Sequence, residues 1–125
     1  MILVPVLALV VGGVIAWFAI TPTTDIPREY VGVAALAGVD SVFGGIRAGL
    51  EDRFRHDLFA TGFVLNILLA VGLVFLGYMI GVGELYLAAV IFLGGRLFLN
   101  LSVIRRHYLT RIADARARKK MGTEQ

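Results

Sequence analysis

The sequence predicts an all-α protein, a small polytopic bundle of transmembrane helices with a basic tail. Three observations predict this fold class. Of the 125 residues, 58% are hydrophobic and only 17% are charged, whereas soluble domains are about half apolar and a quarter charged. The apolar residues form runs long enough to cross lipid, and short polar turns separate them. Lysine and arginine concentrate at the C-terminal end. We therefore expect one membrane domain, 1–125, with four membrane helices.

The first span is predicted over residues 1–20, an uninterrupted apolar run about 30 Å long at helical rise. A signal peptide is the competing interpretation. It is disfavoured because the run lacks a basic N-terminal region and a small-x-small cleavage site. We expect the helix to be retained. The following TPTTDIP segment, residues 21–27, is predicted to be a loop because its prolines interrupt helix.

The second span, about 28–51, is the least regular of the four. It overlaps the stretch LAGVDSVFGGIRAGLEDRF, residues 36–54, which places Asp40, Arg47 and Glu51 in an otherwise small and apolar run. Charged residues inside a membrane are costly and usually have specific partners. A re-entrant helix, leaving three full spans, is the alternative, since irregular backbone in a membrane is tolerated where protein covers it. We favour a full crossing.

The third and fourth spans are predicted over 58–80 and 85–104. The charged EDRFRHD segment precedes the third span, and a GVGE turn joins it to the fourth. That turn is too short to cross a bilayer, so the two spans must run antiparallel. The remainder, 105–125, is a basic tail that can continue as a helix along the inner membrane surface.

Depth along the helices predicts which polar residues meet. Asp40 and Arg96 each lie about 15 Å inward from a tyrosine at the outer interface, and Asn66 lies about 13.5 Å outward from the charged turn. The three residues therefore share one layer. We expect a buried Asp40–Arg96 ion pair with Asn66 as a hydrogen-bonding third member.

A second polar layer is expected nearer the cytoplasm, where Arg47 pairs with Glu51 and Asn100. Such pairs can simply fix the register of neighbouring helices, because desolvation offsets their attraction. A role in transport or proton relay is the alternative for this buried polar network.

Small residues are spaced so that helices can approach closely, as small-xxx-small patterns allow in membranes. The predicted packing positions are Gly38, Ser41, Gly44, Gly45, Gly49, Gly62, Gly94 and Gly95.

The basic tail sets the predicted orientation, because cytoplasmic segments carry an excess of lysine and arginine. It holds seven of the twelve basic residues: Arg105, Arg106, Arg111, Arg116, Arg118, Lys119 and Lys120. We expect a multi-pass protein of the plasma (inner) membrane with a cytoplasmic C-terminus. The lipid bilayer and anionic lipid headgroups are the expected partners of the tail, and nucleic acid is not.

Enzyme chemistry is not expected. The chain has no cysteine, and its two histidines, His56 and His107, lie far apart. Neither an HExxH nor a GxSxG element is present. We therefore predict no catalytic residue, no metal site and no cofactor.

Three segments carry a resemblance to a known family. The run DSVFGGIRAGLEDRF, then GF with Asn66 three residues later, then GELYLAAVIFLGGRLFLNLSVIRR resembles the small basic protein family across residues 27–106. These are short bacterial membrane proteins, often encoded near cell-division genes, whose molecular function is poorly defined. The family pattern has a single glycine before the arginine of the last span, where this chain has Gly94 and Gly95.

Two functions follow as expectations. The first is a non-enzymatic membrane scaffold or assembly protein of the cell envelope that forms a homo-oligomer and binds other envelope or division membrane proteins. Its charged spans would then complete their pairing across a symmetric interface. The alternative is a small transporter or channel with a polar site at the membrane midplane.

Overall fold

The computed structural model describes residues 3–19 and 25–123. Within these ranges the chain is helical and contains no strand, so the predicted all-α class is confirmed. The helices are α1 (Leu3–Ala19), α2 (Arg28–Leu50), α3 (His56–Ile80) and α4 (Leu85–Thr123).

Helix α2 is the centre of the bundle because it packs against each of the other three described helices. The rings of Tyr30 and Tyr78 stack with centroids 5.9 Å apart, which places the start of α2 beside the end of α3. Tyr30 and Tyr86 flank the same buried cluster, so α2 and α4 run parallel. The chain therefore places the 51–55 turn and the C-terminal half of α4 towards the same end of the bundle.

The buried core lies where α2, α3 and α4 meet. Each helix contributes two small or medium apolar side chains, which lets the three backbones approach closely. The cluster consists of Val33, Ala37, Ala70, Val74, Ala89 and Leu93. Around it, large apolar side chains of α3 and α4 point outward and are exposed. This arrangement, small residues inside and large apolar residues outside, suits a lipid environment.

Helices α2 and α3 end in the same backbone motif. The N–H groups of Asp52 and Arg53 donate to the carbonyls of Gly49 and Ala48, and Asp52 has φ 55°. After α3, Gly81 has φ 76° and Val82 donates to the Gly77 carbonyl. Both are Schellman caps, which require a left-handed residue after the helix. Asp52 fills this position because aspartate tolerates the left-handed region better than most residues.

Three of the described helices, α2, α3 and α4, are long and apolar enough to cross a membrane. The sequence leaves open whether the second span crosses the membrane fully or is re-entrant. In the structure this segment, α2, is an uninterrupted helix of 23 residues. By contrast, the described part of α1 has 17 residues and is about 25 Å long. The predicted four spans are therefore three long helices and one shorter apolar helix.

The predicted boundary between a fourth span at 85–104 and a tail at 105–125 is not a structural boundary. Helix α4 continues without a break to Thr123, 39 residues in all, or about 58 Å. The tail therefore continues the helix of the fourth span.

The predicted packing glycines divide into two groups. A Cβ at Gly45 would lie 2.7 Å from the Phe59 ring and 3.1 Å from Pro5, so α1, α2 and α3 converge there. Gly38 and Gly44 have ordinary neighbours at 3.7 Å, Ser41 is buried, and Gly49 is half-buried.

The remaining three predictions are wrong for packing within one chain. A Cβ at Gly62, Gly94 or Gly95 would meet nothing within 4 Å. Spacing along a helix predicts which residues share a face, but it does not say whether a neighbouring helix covers that face.

Candidate functional site: a polar chain and an adjoining cavity

The central contact of the bundle joins α2 to α4. The Arg96 Nη2 lies 3.3 Å from the Asp40 Oδ2, and Asp40 is completely buried. The Asp40 Oδ2 nevertheless accepts no hydrogen bond from a described residue, because no N–H of the guanidinium points at it. Charge attraction therefore holds this pair together. In a low-dielectric interior such attraction is strong, and it offsets the cost of burying the carboxylate.

Asn100, one turn along α4 from Arg96, links the two expected polar layers. Its Nδ2 donates to the Asp40 Oδ1 over a long 3.5 Å, and its Oδ1 accepts from the Arg47 Nη1 at 3.4 Å. Asn100 is 7% exposed. An amide can connect a carboxylate to a guanidinium, because its N–H donates to the carboxylate and its oxygen accepts from the guanidinium.

The chain of contacts continues to the end of α2. The Arg47 Nε donates to the Glu51 Oε1 at 3.2 Å, and Glu51 also accepts a hydrogen bond from Arg53. The hydrogen bonds from Arg53 and Arg47 lower the pKa of Glu51. We call the continuous set Arg96, Asp40, Asn100, Arg47, Glu51 and Arg53 the polar chain. It runs from the middle of the bundle to the 51–55 turn.

Asn66 is not a member of this chain, contrary to the prediction that it would complete the Asp40–Arg96 pair. Its Nδ2 donates instead to the Ser41 Oγ at 3.0 Å. The reason is angular. Consecutive residues on a helix point about 100° apart, so Asp40 faces α4 while the next residue faces α3. Counting residues along each helix predicts the height of a side chain in the bundle, but it does not predict which neighbouring helix the side chain faces.

A cavity of about 240 Å³ lies between α2 and α3 and adjoins the polar chain. We call it the α2–α3 cavity. Its described lining residues are Ser41, Gly44, Gly45, Ala48, Arg53, Phe54, Arg55, Leu58, Phe59, Gly62, Phe63, Asn66 and Arg96. Because Arg53 and Arg55 belong to the turn and Arg96 pairs with Asp40 in the middle of the bundle, the cavity extends from the end of the bundle to its central polar layer.

Arg96 faces both the polar chain and this cavity. Its side chain is 41% exposed although its partner carboxylate is fully buried. The guanidinium also lies 5.7 Å from the centre of the Phe92 ring, a cation–π distance. A guanidinium has five N–H donors, and no hydrogen bond from Arg96 to another described residue is present. Its donors are therefore available to something in the cavity.

The basic residues of the tail lie apart from this site. From Tyr108 to Gly122 every described side chain is exposed. In the described chain no three histidine or acidic side chains come together as metal ligands would. The chemistry that the arrangement supports is charge pairing, hydrogen bonding and the binding of an anion.

Sequence reasoning missed two contributors, Ser41 as a hydrogen-bond partner and Arg53 as the end of the polar chain. Ser41 was assigned to packing alone because its neighbours are small. A sufficient signal was present, since Ser41 and Asn66 lie in facing spans at similar depth. Arg53 had no distinguishing signal, because a turn arginine is usually solvated.

Comparison with known proteins places residues 23–109 in a family described as "Protein of unknown function (DUF1290)". A curated protein of Bacillus subtilis (strain 168), named "Small basic protein", is 45% identical over 119 residues, covering 93% of this chain and 95% of that protein. An uncharacterized protein of Mycobacterium tuberculosis (strain ATCC 25618 / H37Rv) is 36% identical over 105 residues, covering 83% of this chain and 87% of the relative.

The matched range begins just before α2 and ends within α4, so it contains the whole polar chain and the whole lining of the cavity. Helix α1 and the end of α4 lie outside it. No solved structure matches this chain.

Proposed function

This chain belongs to the small basic protein family, and from that premise we propose that it is a non-enzymatic membrane scaffold of the bacterial cell envelope. It associates with further copies of itself and binds other envelope membrane proteins, those of cell division among them. The observation that carries this proposal is the C-terminal extension of α4. There a helix with its side chains exposed from Tyr108 to Gly122 projects from the bundle.

The polar chain supports a scaffold because its charges are used within the protein. Asp40 and Glu51 are each held by arginines, and Asn100 joins the two pairs. Paired charges of this kind fix the register of α2 against α4. We assign the polar chain the task of holding α4 in place so that its extension projects in a defined direction.

Two adjacent glycines of α4, the half-buried Gly94 and the exposed Gly95, supply a surface for a second copy. A Cβ added at Gly94 or Gly95 would meet nothing within 4 Å, and the large side chains of Ile91 and Phe98 beside them are exposed. Glycine surfaces of this kind allow transmembrane helices to approach closely.

The tail is assigned to the cytoplasmic face of the plasma membrane. Cytoplasmic segments carry the excess of lysine and arginine, and each basic residue near anionic lipid contributes about 1 kcal/mol. Anionic headgroups and acidic surfaces of membrane partners are therefore its ligands, and nucleic acid is not.

Native mass spectrometry of the protein in mild detergent tests this proposal. We expect oligomers, together with bound membrane proteins, from the wild-type chain. Replacing Arg116, Arg118, Lys119 and Lys120 by glutamine should remove the partners while α2–α4 stay folded. A charge-conserving control, Arg116→Lys with Arg118→Lys, should keep them. A strictly monomeric protein with no partner in any preparation would contradict the scaffold.

A small transporter or channel is the second candidate, and the α2–α3 cavity favours it because the cavity reaches Arg96 from one end of the bundle. Purified protein in liposomes would then carry an ion flux that Asp40→Asn abolishes. Loss of the flux in an Asp40→Asn protein that still forms the wild-type oligomer would separate transport from scaffolding.

A further inference from the structure

The α2–α3 cavity has a one-sided charge. Its described lining contains three arginines, Arg53, Arg55 and Arg96, and no carboxylate. Each arginine has an acidic partner, but Glu51, Asp57 and Asp40 all lie outside the lining. The cavity is thus lined by guanidinium groups, and the carboxylates that pair with them are not part of its described lining.

The inner end of the cavity presents hydrogen-bond donors. Arg96 contributes the N–H groups that no described residue accepts. The Ser41 Oγ accepts from the Asn66 Nδ2, so the hydroxyl proton of Ser41 must point elsewhere, and the second N–H of Asn66 is also available. Three side chains from three helices therefore supply donors to one space, which is the arrangement that an anion requires.

The outer end of the cavity is lined by the two arginines of the turn. The side chains of Arg53 and Arg55 are 70% and 64% exposed, and their acidic partners are close to them in sequence. Exposed pairs of this kind contribute little energy, about 0–1 kcal/mol, so they do not prevent a stronger acceptor from binding. A guanidinium fork matches oxyanions well because it offers two parallel N–H groups.

Glycines keep the space open. Gly62 lines the cavity on α3, and a Cβ there would meet nothing within 4 Å. The volume of about 240 Å³ is far more than a single water molecule needs. A phosphate-sized ion with part of its hydration shell fits within it.

We propose that the α2–α3 cavity binds an oxyanion of the phosphate class, which enters from the end of the bundle that holds the 51–55 turn. Arg53 and Arg55 attract the ion at the mouth, and Arg96 with Ser41 and Asn66 binds it at the inner end. The same chemistry fits inorganic phosphate and the phosphate of a lipid headgroup. The site shares Arg53 and Arg96 with the polar chain, but it uses none of the tail or the glycine surface of α4, so its ligand can be tested separately from the scaffold role.

Thermal unfolding of the purified protein in detergent tests the site. Adding 20 mM sodium phosphate should raise the Tm of the wild type by about 3 °C or more relative to sodium chloride of equal ionic strength, because a ligand stabilises the state that binds it. Gly62→Leu fills the cavity and should abolish the rise. Gly72→Leu is the matched control, since Gly72 also meets open space on α3 but lies outside the lining; it should respond as the wild type does.

Arg96→Lys provides a second variant that keeps the charge beside Asp40 but removes the fork. Its response to phosphate should fall at least severalfold, with its Tm in chloride near that of the wild type. An equal rise in all four proteins would be a general salt effect and would overturn the proposal, as would a wild type whose Tm rises with neither sodium phosphate nor a short-chain phosphatidate.

A short-chain phosphatidate, added below its micellar concentration, distinguishes the source of the oxyanion. A rise with sodium phosphate alone assigns the site to free oxyanions, and a rise with both probes assigns it to the phosphate group from either source. A rise with the lipid alone, lost in Gly62→Leu, assigns the oxyanion to a headgroup. The scaffold proposal is judged separately by the oligomeric state, which Gly62→Leu should leave unchanged.

Discussion

At the scale of single residues, the decisive feature is the fully buried carboxylate of Asp40. It contacts two residues of α4, Arg96 at 3.3 Å and Asn100 at 3.5 Å. Removing one member of a buried ion pair leaves an uncompensated charge, which costs more than the pair as a whole contributes. The pair therefore fixes the register of α2 against α4 and adds little to the stability of the fold.

A double-mutant cycle measures this coupling. Asp40→Asn and Arg96→Gln should each lower the free energy of unfolding by about 3 kcal/mol, and the double variant should lose much less than the sum. Equilibrium unfolding in mixed micelles gives the three values. Asp114→Asn, on the exposed tail, is the control and should change little. Additive effects at Asp40 and Arg96 would show that the two side chains do not interact.

The carboxylate of Glu51 predicts a dependence of stability on pH. Hydrogen bonds from Arg53 and Arg47 lower its pKa in the folded chain, whereas the unfolded value is about 4.3. The stabilisation is therefore complete above the unfolded pKa and is lost as the pH falls through the lower folded pKa. The Tm of the wild type should exceed that of Glu51→Gln at neutral pH, and the difference should shrink below about pH 4.

Glu84→Gln, in the opposite turn, is the control for this experiment. Its Tm difference from the wild type should stay constant across the same range. A difference for Glu51→Gln that grew towards low pH would reverse the sign of the predicted effect.

At the scale of elements, two close contacts determine how the helices meet. Gly45 lets α1, α2 and α3 converge. Gly77 lets Val82 of the following turn and Leu85 at the start of α4 pack closely against the end of α3. A Cβ at Gly77 would lie 2.7 Å from the Val82 carbonyl oxygen, which is backbone and cannot turn aside as a side chain can. The turn between α3 and α4 therefore depends on a glycine inside the helix as well as on Gly81 after it.

Two alanine substitutions in α3 should have opposite effects. Gly77→Ala should lower the free energy of unfolding by about 1–3 kcal/mol, because overpacking forces the backbone to shift. Gly72→Ala should raise it by up to about 1 kcal/mol, since alanine is the better helix former and nothing lies within 4 Å. Unfolding titrations in detergent give both values. Equal effects would mean that the α3–α4 turn relaxes without cost.

At the scale of the whole molecule, the arrangement of α2, α3 and α4 gives the bundle two ends that carry different features. One end holds the 51–55 turn, the mouth of the α2–α3 cavity and the basic extension of α4. The other holds the 81–84 turn and the stacked rings of Tyr30 and Tyr78. Basic charge and the cavity mouth thus lie at one face of the bundle, which the proposed orientation assigns to the cytoplasm.

Single cysteines test this division, because the chain has none of its own. In sealed membrane vesicles, Arg53→Cys and Ala113→Cys should react with an impermeant thiol reagent from the same side. Gly83→Cys should react only from the other side. The cysteine-free wild type controls for background labelling. Labelling of Gly83→Cys and Ala113→Cys from one side would contradict three crossings by α2, α3 and α4.

The sequence by itself determined the helices, their order and the depth of the polar residues. Apolar run lengths, short turns and helical rise fix these quantities locally, and each can be counted along the chain. It also brought Asp40 and Arg96 to the same height, as it did Arg47 and Asn100.

Only the tertiary structure decided the directions in which side chains point and the faces that neighbours cover. Asn66 reaches Ser41 because α3 and α4 lie on different sides of α2. Gly62 borders a cavity and Gly45 a crowded crossing, although both glycines lie in small-residue stripes. The rotation of each helix about its axis depends on the packing of three helices at once, and no single span of sequence contains that information.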